Sequence, residues 1–198
     1  FGVRRQDSGE IIFNKQKVSF SSPKQAIEKG MALVPEDRKS QGLILGMGGR
    51  HNMTLPHLSL YSNMGVPNVE NELQIFEDYK TKLEIKTTGP EQLLSDLSGG
   101  NQQKLVLAKW LCANPKLIIL DEPTRGVDVG SKSAIHQYIA TLAEQGLAVI
   151  VISSEMPEVI GVSHRILTMA EGRLVGEYTG KEMTEENLIA AVSGLTAA

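Results

Sequence analysis

Short, wholly apolar strands alternate with helices in the second half of the chain, and this alternation constrains the fold more than any other feature. Leu117 to Leu120 is one such run, Ser131 to Gln145 has helical character and closes at Gly146, Ala148 to Ser153 is the next run, and a short helix follows Pro157. Strands apolar on both faces and separated by helices form parallel sheets covered on both sides, so the class is α/β. Upstream, Met31 to Val34 is another short apolar strand, ended by Pro35, and Pro23 to Gly30 carries the start and stop chemistry of a helix behind Ser22.

Two hairpins flank this core. Ile11, Phe13, Val18 and Phe20 alternate around the polar Asn14-Lys15-Gln16, and Ile166 to Met169 faces Leu174 to Tyr178 across Ala170-Glu171-Gly172. Glu36 to Asn68 is rich in Gly, Asn, His and Met with weak periodicity, and reads as a loop-heavy region carrying contacts rather than core. Helical spacing returns at Val69, Leu73, Phe76 and Leu83. It recurs from Ser98 to about Ala113, with Leu105, Ala108 and Leu111 on one stripe, and Thr184 opens a last helix to about Val192.

At roughly 150 residues per domain, 198 residues allow one main core with an inserted or appended subdomain. Twenty Lys and Arg against 23 Asp and Glu, net −3, leave no concentrated basic face, which argues against nucleic acid as the main ligand. A single cysteine, Cys112, excludes an internal disulfide and fits a reducing compartment; beside Leu111 it reads as a small core residue. The longest apolar run, Leu147 to Ile152, is far short of the roughly 20 residues that span a bilayer. His51, His57, His136 and His164 are scattered without ligand spacing. Met47, Met53 and Met64 read as gap fillers or as a contact surface, and Arg38 with Lys39, beside Glu36 and Asp37, as a solvated charge cluster.

Two segments carry chemistry. Asp121 and Glu122 stand directly at the carboxyl end of a buried strand, where open α/β sheets bind their ligands. In nucleotide hydrolysis the first such carboxylate holds Mg²⁺ through its hydration shell and the second takes a proton from the attacking water; the alternative is an acidic pair that merely ends a strand before Pro123. Ser98-Gly99-Gly100 opens a helix with a hydroxyl and two residues lacking side chains, leaving backbone N–H groups at a positive helix end suited to phosphate oxygens. The alternative there is an ordinary serine cap with glycines in the first turn.

Together the two are more specific. LSGGNQQK (Leu97 to Lys104) followed by LIILDEPTRGVDVGSK (Leu117 to Lys132) resembles the signature, Walker B and D-loop of ABC-type ATPases. VPEDRKSQGL (Val34 to Leu43) and ISSEMPEV (Ile152 to Val159) resemble the second cassette of the fused subunits that energise importers of ribose, xylose and galactose. That resemblance implies a P-loop NTPase fold of the ABC type with a helical subdomain inserted at about 36–109. It also implies ATP and Mg²⁺ as cofactors and a place on the cytoplasmic face of the bacterial plasma membrane. The implied partners are an amino-terminal cassette of the same protein, transmembrane permease subunits and, indirectly, a periplasmic or extracellular sugar-binding protein.

By the same resemblance, Ser98, Gly99, Gly100 and Gln102 close the nucleotide site of the opposite cassette, Asp128 matches the D-loop aspartate between the two sites, and Asp121, Glu122, Glu36 and Ser154 serve this cassette's own. Two positions depart from the general ABC pattern. Glu36 stands where glutamine is usual and can still ligate Mg²⁺; Ser154 stands where a histidine usually contacts the γ-phosphate, and a hydroxyl cannot carry that charge. These departures leave room for a cassette that only completes the partner's site without hydrolysing. A soluble ABC protein of DNA repair or translation is a further class, but it calls for a long coiled-coil insertion or a basic groove, and the sequence has neither.

A phosphate loop needs G-x-x-x-x-G-K-[ST], whereas the only Gly-Lys pair here, Gly180-Lys181, is followed by Glu182. With Phe1-Gly2 matching the residues just past the family's P-loop helix, the expectation is an amino-terminally truncated cassette over 1–198. The 198 residues alone are therefore expected not to hold a triphosphate: calorimetric titration with Mg-ATP should show no binding in the micromolar range, and a micromolar dissociation constant would refute this.

Overall fold

The computed structural model describes residues 1–194. The chain forms two compact units, Phe1–Ile150 and the residues from Val151 onward.

The first unit opens on the expected hairpin, β1 (Ile11–Phe13) against β2 (Gln16–Val18), with Phe13 opposite Gln16. Asn14 and Lys15 take φ of 49° and 61°, so the turn has two residues, both left-handed, the conformation that matches the strands' twist. Gln16, grouped with the turn by its polarity, starts β2 instead. Phe13 and Val18 pack against a small core of Phe20, Ala26 and Met31. α1 (Pro23–Glu28) begins after Ser22, whose side chain makes no capping bond; the Gln25 carboxamide accepts from the Ser21 N–H at 2.9 Å instead.

β3 (Met31–Val34) pairs with β6 (Leu117–Asp121) in parallel register, Met31 opposite Leu117 through Val34 opposite Leu120. β7 (Ala148–Ile152) lies on the other side of β6 and runs across the boundary of the two units. β3 and β6 supply Ala32, Val34, Ile118 and Leu120 to the core, but β7 does not follow them: Ile150 and Ile152 are 47% and 49% exposed. Its apolar run reads as a strand covered on both faces, yet among the described residues it is the outer strand of three and the face carrying Ile150 and Ile152 is left open.

The stretch 36–68 is more ordered than its composition suggests. A single π-turn (Arg38–Gly42) is capped by Asp37, whose carboxylate accepts from the N–H groups of Lys39 and Ser40. Hydrogen bonds from the Ser40 side chain and from these N–H groups hold the Asp37 carboxyl below its ordinary pKa. Next come α2 (Gly49–Thr54), a 3₁₀ segment (Leu55–Tyr61) and the two-residue strands β4 (Ser62–Asn63) and β5 (Val66–Pro67). Met53 is core, whereas Met64 is fully exposed.

What orders this stretch is polar. Arg50, Asn52, Thr54 and Glu72 are all buried. Arg50 donates to Glu72 at 2.7 Å and to Glu91 at 2.8 Å, Thr54 donates to the second Glu72 oxygen at 2.6 Å, and Asn52 ties down the carbonyls of Ile44, Met47 and Gly48. α3 (Val69–Lys82), capped by Asn68, therefore turns Glu72 and Phe76 inward, while Val69 and Leu73, on the stripe expected to be buried, are exposed. α2 packs against both α3 and α4 (Gly99–Leu111). A side chain at Gly49 would come within 2.6 Å of the Phe76 ring, so this close approach needs a glycine. α4 is buried on nearly every side, with Gln102, Gln103, Leu105, Val106, Leu107, Ala108 and Leu111 all covered. α5 (Val129–Glu144) contributes Ile135 and Ile139.

The second unit holds α6 (Met156–Val162), the expected hairpin β8 (Arg165–Ala170) with β9 (Arg173–Thr179), and α7 (Glu185–Val192) packed on both strands. Thr184 caps α7 by accepting from the Asn187 N–H. Among the described residues no helix is long and apolar enough to cross a membrane.

Removing Arg50 leaves the buried Glu72 carboxylate uncompensated, which costs about 3–5 kcal/mol, whereas removing Glu72 leaves Arg50 paired with Glu91. Arg50→Met is expected to lose stability on that scale in urea titrations, Glu72→Leu to lose less, and the double variant to lose clearly less than the sum.

Candidate functional site

The parallel register of β3 and β6 fixes the site. Because Val34 stands opposite Leu120, Glu36 and Glu122 each lie two residues past that matched pair. Glu36, Asp121 and Glu122 thus emerge at one carboxyl edge of the sheet, the edge at which such sheets bind ligands.

Glu122 sits at φ 47°, in the left-handed region that a side chain ordinarily avoids. Holding a non-glycine residue there costs on the order of 1–3 kcal/mol and persists only where the surroundings over-determine it. Here the Arg125 N–H donates to the Glu122 carbonyl at 3.1 Å, the Val127 N–H donates to the Thr124 carbonyl at 3.2 Å, and Thr124 is buried. Two successive tight turns turn the chain back at once, leaving the Asp121 and Glu122 side chains half-buried at the strand end.

Glu36 is engaged by Arg125, whose guanidinium forms an ion pair with it; both are largely exposed. Arg38 departs from expectation. Instead of belonging to a solvated cluster it is half-buried, and it donates to the carbonyls of Arg125 at 2.9 Å and Gly126 at 3.3 Å. Its Nε faces the Gln102 carboxamide at 3.5 Å. Sequence reading missed this because the partners are backbone carbonyls more than 80 residues away, which no side-chain pattern announces.

The first turn of α4 lies against this loop. Ser98 is its exposed N-cap, accepting from the Asn101 side-chain amide at 2.9 Å and from its N–H at 3.4 Å. Asn101 in turn accepts from the Lys86 N–H, fixing the helix start to the segment after α3. Gly100 is required by space, and Gly99 leaves room for Arg38. A Cβ on Gly99 would stand 2.8 Å from the Arg38 guanidinium, and one on Gly100 2.4 Å from the Ser131 hydroxyl. Gln102 is turned inward, only 4% exposed and donating to the Leu94 carbonyl at 2.8 Å, so its amide is spent on packing.

Asp128 caps α5, accepting from the Ser131 N–H at 3.0 Å and from its hydroxyl at 2.8 Å, so that helix starts two residues before the Ser131 expected from sequence. These bonds hold the Asp128 carboxyl below its ordinary pKa. Ser154, in the second unit, is exposed just past β7. Its neighbour Ser153 binds the buried Glu158 carboxylate and accepts from the Glu155 N–H at 3.0 Å, bracing the start of α6.

The remaining candidates resolve into packing. His57 is buried with its ring 5.7 Å from that of Trp110, and burial pushes its pKa down. Cys112 is half-buried, with burial pushing its thiol up to about 11, too high for a reactive thiolate. Among the described residues no group of three or more His, Cys, Asp or Glu side chains could hold a metal ion.

An acidic strand end at the carboxyl edge of a parallel sheet, followed by a loop that packs on a helix opened by Ser-Gly-Gly, fits an ATP-binding cassette. Residues 1–125 match the ABC transporter family, and the chain belongs to it. Over 198 residues it is 44% identical to the ribose import ATP-binding protein RbsA of Roseobacter denitrificans, and over 190 residues 46% identical to that of Clostridium tetani. The alignments cover 100% and 96% of this chain but 39% and 38% of those relatives, so it spans about two-fifths of their length. Among solved structures, a nucleotide-free ATP-binding cassette from an ABC transporter superposes with a TM-score of 0.77 at 20% identity, covering 100% of this chain and 80% of the other. A second ABC transporter cassette gives a TM-score of 0.80 at 21% identity, over 100% of this chain and 80% of that one. These likenesses establish the fold: α/β, of the P-loop NTPase ABC type.

Overpacking a tight site costs typically 1–3 kcal/mol. Gly100→Ala is expected to lose about that much stability in urea titrations, and Ser131→Gly, which removes the obstructing hydroxyl and its carbon, to restore part of it. An unchanged midpoint for Gly100→Ala would refute the packing role.

Proposed function

We propose that the chain is the second cassette of an ATP-hydrolysing subunit that drives import of ribose or a related monosaccharide. The observation that carries this reading is the Ser98-Gly99-Gly100 helix start set against the loop from Gly126 to Ser131 that follows Asp121-Glu122, in a chain whose 44–46% identical relatives are named ribose import ATP-binding proteins. The relatives' names lend no support to a soluble protein of DNA repair or translation. Nor do they support nucleic acid as partner.

ATP and Mg²⁺ would supply the transferable phosphoryl group and the cation that offsets its charge. The residues fit in part. Asp121 and Glu36 offer carboxylate oxygens of the kind Mg²⁺ takes, though Glu36 must part from Arg125 to do so. Glu122 is the candidate general base, presented to water by its left-handed backbone. Ser154 can donate a hydrogen bond to a phosphate oxygen without adding charge. Ser98, Gly99 and Gly100 would close the nucleotide site of the amino-terminal cassette, with Asp128 between the sites, while Gln102 acts from behind by holding the helix start.

Residues 36–109 form the inserted helical subdomain in this reading, a proposal supported by α2 packing on both α3 and α4 there. Its exposed Leu60, Met64, Val66 and Val69 are the surface offered to the transmembrane permease. The subunit then sits on the cytoplasmic face of the bacterial plasma membrane, reaching an external sugar-binding protein only through the permease. The exposed Ile150 and Ile152 of β7 fit a cassette in which further residues cover that strand.

Two variants of the subunit, assayed with its permease in membranes, test the reading. Ser98→Arg puts a bulky cation in place of a charge-assisted hydrogen bond worth roughly 1.5–3 kcal/mol and should collapse both ATPase and uptake. Glu122→Gln removes a proton acceptor in a site lacking the usual histidine, and should lower turnover less severely. Full activity of Ser98→Arg, or loss confined to Glu122→Gln, would overturn the assignment.

A further inference from the structure

We propose that Arg38 is a positioning residue for Glu122, a clamp that sets the strained turn after β6 against the start of α4. The proposal rests on the reading of Glu122 as the general base.

Three features carry it. First, the guanidinium reaches two consecutive carbonyls of the loop, Arg125 at 2.9 Å and Gly126 at 3.3 Å. A planar fork can hold two acceptors in fixed relation, which a lysine ammonium cannot. Second, the residue whose carbonyl it grips is the one whose N–H closes the turn on Glu122 at 3.1 Å. One peptide separates the clamp from the φ 47° residue, so moving the Arg125 carbonyl reorients the group that keeps Glu122 left-handed. Third, the same guanidinium lies over Gly99, where a side chain would stand 2.8 Å from Nη2, and its Nε faces Gln102, itself anchored to the Leu94 carbonyl.

Arg38 is therefore held from the α4 side and grips the loop on the other. It touches no reacting atom; it acts through the backbone. Its own base is fixed by the π-turn that Asp37 caps, where Gly42 allows the close approach: a Cβ there would stand 3.2 Å from Val106 and 3.4 Å from the Arg38 Cβ. Glu36, two residues earlier, pairs with the side chain of Arg125 while Arg38 takes its carbonyl, so the segment leaving β3 holds this one loop residue at both ends.

The test uses the intact subunit with its permease. Arg38→Ala should lower kcat by the same factor as Glu122→Gln, within twofold, with the KM for ATP unchanged within twofold. The Arg38→Ala/Glu122→Gln double variant should be no slower than Glu122→Gln alone, because both changes disable one group. Hydrogen exchange supplies a readout independent of turnover: the Arg125 and Val127 amides should exchange at least tenfold faster in Arg38→Ala, and the β6 amides at the wild-type rate. Arg38→Lys, which keeps the charge and the stem but not the fork, should recover less than half of the lost kcat, and it carries the test should the alanine variant not fold. Additive losses in the double variant, a rise in KM alone, or unchanged exchange of both amides would overturn the clamp. Wild-type turnover of Glu122→Gln would instead overturn the reading of Glu122 as base, and this proposal with it.

Discussion

The pairing of β3 with β6 is the constraint from which the rest of the site follows. Four consecutive parallel partners, Met31 with Leu117 to Val34 with Leu120, leave no freedom in where the two chains leave the sheet. A slip of one residue would turn Ala32, Val34, Ile118 and Leu120 out of the core, so burial enforces the register. Because both strands are parallel, their carboxyl ends meet at one edge, and carboxylates from segments more than 80 residues apart become neighbours without any contact having to be made between them first.

α4 connects that edge to the interior. It is apolar or small on most of its circumference and covered on most sides, so its axis is set by packing. Its cap, Ser98, is exposed, and Lys104, Lys109 and Trp110 further along are partly so. The glycines there serve two purposes that sequence alone could not separate. They leave backbone N–H groups bare, as an anion site requires, and they make room for Arg38 and Ser131 at distances no Cβ could share. The packing requirement is visible in the geometry; the ligand role is the proposal that relatives make worth testing.

Much of this was legible in the chain, and the exceptions have physical causes. Strands β3 and β6, both long hairpins and helices α4, α5 and α7 follow from apolar runs, turn residues and capping chemistry, because those signals are local. Legibility failed where stabilisation came from distant polar partners. The stretch 36–68 looked loop-like because its order rests on Arg50, Asn52 and Thr54, residues that composition counts as surface. Arg38 looked solvated because its acceptors are backbone carbonyls. β7 looked covered on both faces because an apolar run reports what a strand could bury, not what packs on it. Asp121 and Glu122 were found by their place at a strand end, but the left-handed backbone of Glu122 has no sequence signal at all: glutamate is not a residue that position selects.

The Arg50–Glu72 pair shows why a protein keeps so costly a feature inside. α3 has little apolar inner surface, since Phe76 is its one buried hydrophobic side chain while Val69 and Leu73 face out. Hydrophobic burial is non-directional and would let such a helix roll about Phe76, trading Val69 or Leu73 inward with a gain in buried area. Glu72 forbids this. Rolled outward, it would leave the buried Arg50 guanidinium without its buried carboxylate partner and the Thr54 hydroxyl without its 2.6 Å acceptor. Breaking a buried pair costs more than about 3 kcal/mol, more than an additional exposed aliphatic side chain gains by half-burial at about 25 cal/mol per Å². The ion pair thus fixes the rotation of α3, keeps Val69 and Leu73 at the surface, and makes the apolar exposure of this region a consequence of its polar core.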